Sequence, residues 1–211
     1  MDVNRDPFGV VIASVRSRLR AGRLVLGEQL MITDLSRELG LSATPIREAL
    51  SRLAGEGLIE DRRGVGHFAW RLDAIDLQGL YDLQMAYLRG AFLRPAHAWS
   101  VDELGVGEVA DDAKHLTRTE RIHERVIARS RNLWLTRSHR LLADRLAPAR
   151  RVEPLVLSGL EIELDHLEAL LPDATVEELQ DAFGGYYGRR VRLATDIIAA
   201  MRGPGRGLGS I

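Results

Sequence analysis

A chain of 211 residues, 45% hydrophobic and 28% charged, has an ordinary globular balance and is long enough for one large domain or two small ones. The formal net charge of -1 gives no overall basicity that would point to nucleic acid. The absence of cysteine excludes a disulfide framework, a thiolate metal site and a cysteine nucleophile. No apolar run reaches the roughly 18 residues of a membrane span, and the polar stretch Met1 to Pro7 has no signal-peptide core. The expectation is a cytoplasmic protein without a membrane partner.

In chain order, Phe8, Val11, Ile12, Val15 and Leu19 recur with helical period and predict a first helix from about Phe8 to Leu24. Thr33 is placed to cap a short second helix that stops at Gly40, with Leu35 and Leu39 as its buried pair. Ser42 is placed to cap a third helix, with Pro45 tolerated in its first turn. Ile46, Ala49, Leu50 and Leu53 form the apolar face of that helix, and Gly57 ends it. Two strand candidates follow, Leu58 to Asp61 and His67 to Trp70, joined by the glycine-bearing connection Arg62 to Gly66. Two helices joined through Gly40-Leu41-Ser42 with a hairpin behind them spell a winged helix-turn-helix.

Thr44, Arg47 and Ser51, spaced i, i+3 and i+7, share the face of the third helix opposite its apolar side. A helix of this size fits the major groove, where Arg47 can fork onto a guanine edge or a phosphate. Arg62, Arg63 and His67, beside Gly64 and Gly66, can follow the backbone or enter the minor groove. The full set of candidate DNA contacts adds Thr33, Ser42 and Arg52. Each has a plain alternative: the face can be merely solvated, and Glu48 with Arg52 forms an i, i+4 pair.

The run Asp34-Leu35-Ser36-Arg37-Glu38-Leu39-Gly40-Leu41-Ser42-Ala43-Thr44-Pro45-Ile46-Arg47-Glu48-Ala49-Leu50, preceded by Gly27-Glu28-Gln29-Leu30 and followed by Leu53 and Glu56-Gly57-Leu58-Ile59, resembles the DNA-binding domain of the GntR family of bacterial regulators. The match extends over about Val10 to Ala69. The resemblance implies a homodimer on double-stranded operator DNA, with Thr44, Arg47 and the wing around Arg63, Gly64 and Gly66 in contact. Leu26, Ala43 and Thr33 depart from residues common in the family: proline at the first position, arginine at the other two. Readout is therefore expected to lean on Arg47 and the wing.

From about Arg71-Leu72-Asp73 onward the pattern is helical. Leu80, Leu83 and Tyr87 share a stripe; Ile122 and Val126 mark a second helix, and Leu135, Leu142 and Leu146 a third. Pro148 and Pro154 bracket an arginine-rich connection. Leu157, Leu160, Leu164, Leu167 and Leu171 keep a heptad-like spacing. A last helix is expected from Thr175 to about Met201, weakened by Gly184, Gly185 and Gly188. The expected fold is mainly α: an N-terminal winged helix-turn-helix followed by an all-helical bundle.

Through Leu80-Tyr81-Asp82-Leu83, Ile122-His123, Asn132 and Asp165-His166, this second region resembles the ligand domain of the FadR branch. That domain commonly holds zinc, manganese or nickel through an aspartate and three histidines, and with it a small carboxylate effector. Here His123 and His166 match two ligands, Thr119 stands at the aspartate, Tyr186 or Tyr187 near the last histidine, and Gln84 where many members have arginine. The resemblance implies Gln84, His123, Asn132, His166 and Tyr187 as effector contacts. Three readings stay open: a metal at His123 and His166, a metal-free pocket with the same histidines as hydrogen-bond donors, or an inert interior. The expected layout is a DNA-binding domain at 1–71, a helical effector-binding and dimerisation domain at 72–202, and a flexible tail at 203–211. No Gly-x-Ser-x-Gly elbow, phosphate-cradling loop or His-Glu-x-x-His pair supports an enzyme. The other competing function is a protein-interaction module whose DNA head has lost its readout.

Overall fold

The computed structural model describes residues 6–93 and 114–203. The tail expected beyond Gly203 lies outside them. The fold is mainly α, and the chain divides into two compact units, one ending at Leu72 and the other starting at Asp73.

In the first unit, α1 (Pro7–Arg20) starts on Asp6, whose carboxylate accepts from the Phe8 amide at 3.1 Å, and it ends four residues before Leu24. Its buried residues Val11 and Val15 pack on α3 (Ala43–Gly55), which contributes Ile46, Ala49, Leu50 and Leu53. α2 (Ile32–Leu39) lies against α3 through Leu35. Met31, not Thr33, occupies its N-cap, so Thr33 sits exposed in the first turn. Gly40 closes α2 in the left-handed conformation (φ 65°), and Ser42 begins α3 with extended backbone but no capping bond from its side chain.

The wing is an antiparallel pair, β1 (Glu60–Arg62) and β2 (Gly66–Phe68), with Asp61 opposite His67. Arg62 is therefore a strand residue, not part of the tip, and the turn narrows to Arg63-Gly64-Val65. The segment between α1 and α2 supplies a third rung that the local pattern does not announce. Gln29 bridges Phe68, Leu30 N donates to the His67 carbonyl at 2.8 Å, and Gln29 Nε2 donates to the Val65 carbonyl at 3.0 Å. Gly66 is needed here: φ is +129°, and a Cβ would lie 2.9 Å from Gln29 Nε2. Gly66→Ala is expected to cost the first unit about 1–3 kcal/mol, read from its urea unfolding midpoint; an unchanged midpoint would show that the rung bears no strain.

The second unit is a helical bundle: α4 (Ala74–Phe92), α5 (Lys114–Arg129), α6 (Leu133–Val156), α7 (Leu160–Leu170), α8 (Val176–Arg192) and α9 (Ala194–Arg202). α4 packs on α5, α6, α8 and α9, while α7 packs on α5 and α8. Capping boxes start α4 (Asp73 with Asp76) and α8 (Thr175 with Glu178).

Three expectations are corrected. α4 buries Leu77, Tyr81, Gln84, Met85 and Leu88, leaving Leu83 exposed and Leu80 and Tyr87 half-buried. That stripe is the outer face because Tyr81 and Gln84, read as polar, turn inward. Pro148 and Pro154 sit inside one continuous α6 rather than bracketing a connection. Each costs one backbone bond, and the buried Leu142, Leu146, Ala147 and Ala149 hold the helix across the loss. The terminal helix breaks at Leu193 (φ -100°, ψ 12°), while Gly184, Gly185 and Gly188 continue α8, whose neighbours Phe183, Tyr186 and Tyr187 are buried.

Candidate nucleic-acid interface and buried polar cluster

On α3 the side chains opposite the core all reach solvent: Ser42, Thr44, Arg47, Glu48, Ser51 and Arg52 are exposed. Among the described residues Arg47 has neither a hydrogen bond nor an ion pair, so its guanidinium keeps all its donors. Arg52 differs. It donates to Glu56 at 2.7 Å, so its partner is Glu56 and not Glu48. Glu56 also receives Arg16 from α1. Partial burial opposes ionisation of Glu56, but the Arg52 hydrogen bond and the Arg16 charge hold its carboxyl below the usual range. Arg52 and Arg16 thus brace the C-terminal end of α3 against α1.

In the wing, Arg63 and Gly64 are exposed at the tip. Arg62 is engaged within the hairpin, donating to Glu60 at 2.7 Å and lying 4.2 Å from the centre of the Phe68 ring. His67 is half-buried beneath the third rung. The sequence-derived DNA set therefore divides into open groups (Thr33, Ser42, Thr44, Arg47, Ser51, Arg63) and groups already used by the fold (Arg52, Arg62).

The second unit encloses polar residues from α4, α5, α6 and α8. Glu153 accepts from the Tyr81 hydroxyl at 3.0 Å and from Arg190 Nε at 3.0 Å. Arg190 also reaches Glu163 at 2.9 Å and stacks on Tyr186, 3.2 Å from the ring centre. His123 stacks on His139 with centroids 6.4 Å apart and interplanar angle 11°, and it meets Phe183, Tyr186 and Tyr187 edge-on or tilted. Its Nδ1 lies 2.6 Å from the Thr119 carbonyl, which can only accept, so Nδ1 carries the proton. Nε2 then accepts from the Tyr187 hydroxyl.

This arrangement does not fit a metal. The lone pair of His123 is taken by Tyr187, and burial pushes the Tyr187 phenol far above its ordinary pKa, so it stays a protonated donor. His166 is exposed on α7, apart from the buried His123. No group of three metal-ligating side chains occurs among the described residues. Asn132 is also accounted for by the fold: its Oδ1 caps α6, accepting from the Trp134 and Leu135 amides at 3.1 and 3.2 Å. Sequence reasoning missed His139, Arg150, Glu153 and Arg190.

Burial, then the charge of Arg150, lowers both imidazoles, His123 well below its ordinary value and His139 to about 3. In the unfolded chain both protonate near pH 6.5. The unfolded state therefore binds more protons between these limits, and stability is full above about pH 6.5 and falls as pH drops toward 3. At pH 5 the expected loss is roughly 2 kcal/mol per imidazole. Urea midpoints measured from neutral pH down to pH 5 should fall accordingly, and His139→Phe should flatten the slope; a flat profile in the parent chain would refute the neutral pair.

An exposed helix face beside a rung-tied wing, followed by a helical bundle with its own polar interior, defines the class of winged-helix transcriptional regulators. Residues 9–68 match the description "Bacterial regulatory proteins, gntR family". The Nta operon transcriptional regulator of Aminobacter aminovorans is 30% identical over 164 residues, covering 72% of this chain and 77% of that protein. This chain belongs to the gntR family of bacterial transcriptional regulators, whose members bind DNA. A putative GntR regulator from Rhodococcus sp. RHA1 has the same fold, with TM-score 0.67 at 16% identity, covering 92% of this chain and 98% of that one. McbR/YncC of E. coli has TM-score 0.63 at 16% identity, covering 90% and 98%. No helix among the described residues is long and apolar enough to cross a membrane.

Proposed function

We propose that the protein is a homodimeric, operator-specific repressor whose DNA affinity is set by a small carboxylate metabolite held in a FadR-type helical domain. The observation that carries the DNA half is the open Thr44–Arg47–Ser51 face of α3, with Arg47 unpaired among the described residues. Thr44, Arg47 and Ser51 enter the major groove, and Ser42, Thr33 and Arg63 hold phosphates. Dimerisation is supported by the outer face of α4, where Ile75 is 77% exposed and Leu83 38%. Two-fold symmetry then requires a palindromic site. Effector control is a coupling between two sites, in which a ligand that favours one arrangement of the two heads changes operator affinity, typically about 5- to 150-fold.

The test is binding of the full chain to DNA from upstream of its own gene, against scrambled DNA of the same length, across salt concentrations. Preference for the native fragment with a steep salt dependence is expected. Equal, weak binding to both that persists with fragments selected from the whole genome would favour the interaction-module reading.

A further inference from the structure

The interior of the helical unit holds polar groups that its own fold leaves unused. Gln84 is fully buried, yet neither its amide nitrogen nor its amide oxygen has a hydrogen-bond partner. The same is true of His139 Nε2 and of the Tyr186 hydroxyl, both buried. Native interiors rarely leave such groups unmet, and each one calls for an occupant. The three come from α4, α6 and α8, and α4 packs on both α6 and α8. Gln84 lies one turn after Tyr81 on the inward face of α4, and the Tyr81 ring is 5.9 Å from that of Tyr187, which holds His123.

Charge is divided across this interior. Glu153 and Glu163 both pair with Arg190. At the imidazoles the charges that act most are positive: Arg150 and Arg190 on His123, Arg150 and Arg140 on His139. Arg150 is itself buried. Tyr187, Tyr186, Glu120 and Glu153 lie close enough to act on its charge, and Arg190 is the second buried cation of the cluster. Buried carboxylates and guanidiniums therefore stand side by side here. The groups without partners, the Gln84 amide, His139 Nε2 and the Tyr186 hydroxyl, are neutral ones beside a buried guanidinium, a set that suits an anion better than a metal ion.

We propose that this chain has exchanged the family's metal for a guanidinium: a small carboxylate docks directly on Arg150, with Gln84, His139 and Tyr186 as its neutral hydrogen-bond partners and no metal between. Arginine suits this role because its planar fork matches both carboxylate oxygens. Tyr187 closes the position on His123 that a cation would need. The inference rests on the effector reading above and specifies the chemistry of its site.

The experiment uses the full chain after dialysis against a chelator. Thermal unfolding and titration calorimetry are run with sodium acetate, succinate and malate, with sodium chloride as the ionic-strength control, and separately with zinc, manganese and nickel chlorides. At least one carboxylate is expected to raise the unfolding midpoint above the chloride control, equally with and without chelator, while no metal binds stoichiometrically. Arg150→Met should weaken that binding about tenfold or more, and Arg150→Lys should keep part of it. Gln84→Leu, which removes an unmet polar group and so preserves the fold, should also weaken it. A carboxylate response that disappears with chelator and returns with zinc overturns the proposal, as does a chain that no carboxylate stabilises. Operator binding without any carboxylate is read in parallel, so failure of the regulator reading shows there and not in the ligand titration.

Discussion

Arg190→Met is expected to destabilise the helical unit by about 3–5 kcal/mol, because it leaves Glu153 buried without the guanidinium it pairs with at 3.0 Å. Arg190 is fully enclosed; it pairs with Glu153 at 3.0 Å and Glu163 at 2.9 Å, and Nη1 also donates to the Tyr186 carbonyl. Removing it strips these three polar interactions and the stacking on the Tyr186 ring at once. Arg150, whose charge also reaches Glu153, limits the loss. The double variant Arg190→Met/Glu153→Leu should regain a large part of the stability, since an apolar pair of similar volume avoids the desolvation of both ions. Urea denaturation followed by circular dichroism measures all three. If the double variant is as unstable as the single one, the loss lies in the packing of the long side chain and not in the orphaned carboxylate.

Under the proposed operator reading, Arg47→Ala should cost about 1–3 kcal/mol per half-site, roughly 5- to 150-fold. The residue is exposed and makes no hydrogen bond or ion pair among the described residues, so the variant should unfold at the same denaturant concentration as the parent. Fluorescence anisotropy against native and scrambled fragments distinguishes two roles. If Arg47 reads a base edge, preference between fragments narrows; if it grips a phosphate, both affinities fall together and the salt slope drops by about one. Undiminished affinity for both fragments would remove α3 from the interface. Arg52→Ala is the contrasting case: it frees Glu56 from one partner, so its first effect is on stability.

The helix-turn-helix was legible because its signals are local. Gly40 supplies the left-handed residue that ends α2, Ser42 the extended residue before α3, and Ile46, Ala49, Leu50 and Leu53 an uninterrupted apolar face. The register of the wing was not, because Gln29 and Leu30, far away in the chain, decide where β2 ends. In the bundle, local rules misled. Glycines in α8 do not break it, since burial of Phe183, Tyr186 and Tyr187 outweighs their low propensity. The buried cluster escaped because arginine and glutamate read as surface residues. One signal was present: Arg150 and Glu153 fall four and seven residues after Leu146, and His139 seven before it, on one stripe of α6. Charged residues on an apolar stripe mark an interior use for their charge.

The third rung of the wing has a consequence for the order in which the head assembles. The α2–α3 turn joins residues close in the chain, whereas the bond from Leu30 to the His67 carbonyl closes a loop between positions 30 and 67. Closing such a loop costs entropy before any bond repays it. Packing α1 on α3 closes a loop of similar length, but burial of Val11, Val15, Ile46 and Leu50 repays it there, whereas the rung is repaid mainly by hydrogen bonds. The three helices should therefore collapse first and the wing zip on last, its amides exchanging with solvent through openings smaller than global unfolding. The part of the head that presents Arg63 is thus its least cooperative part, able to adjust to the contour of a nucleic acid while α3 holds its place.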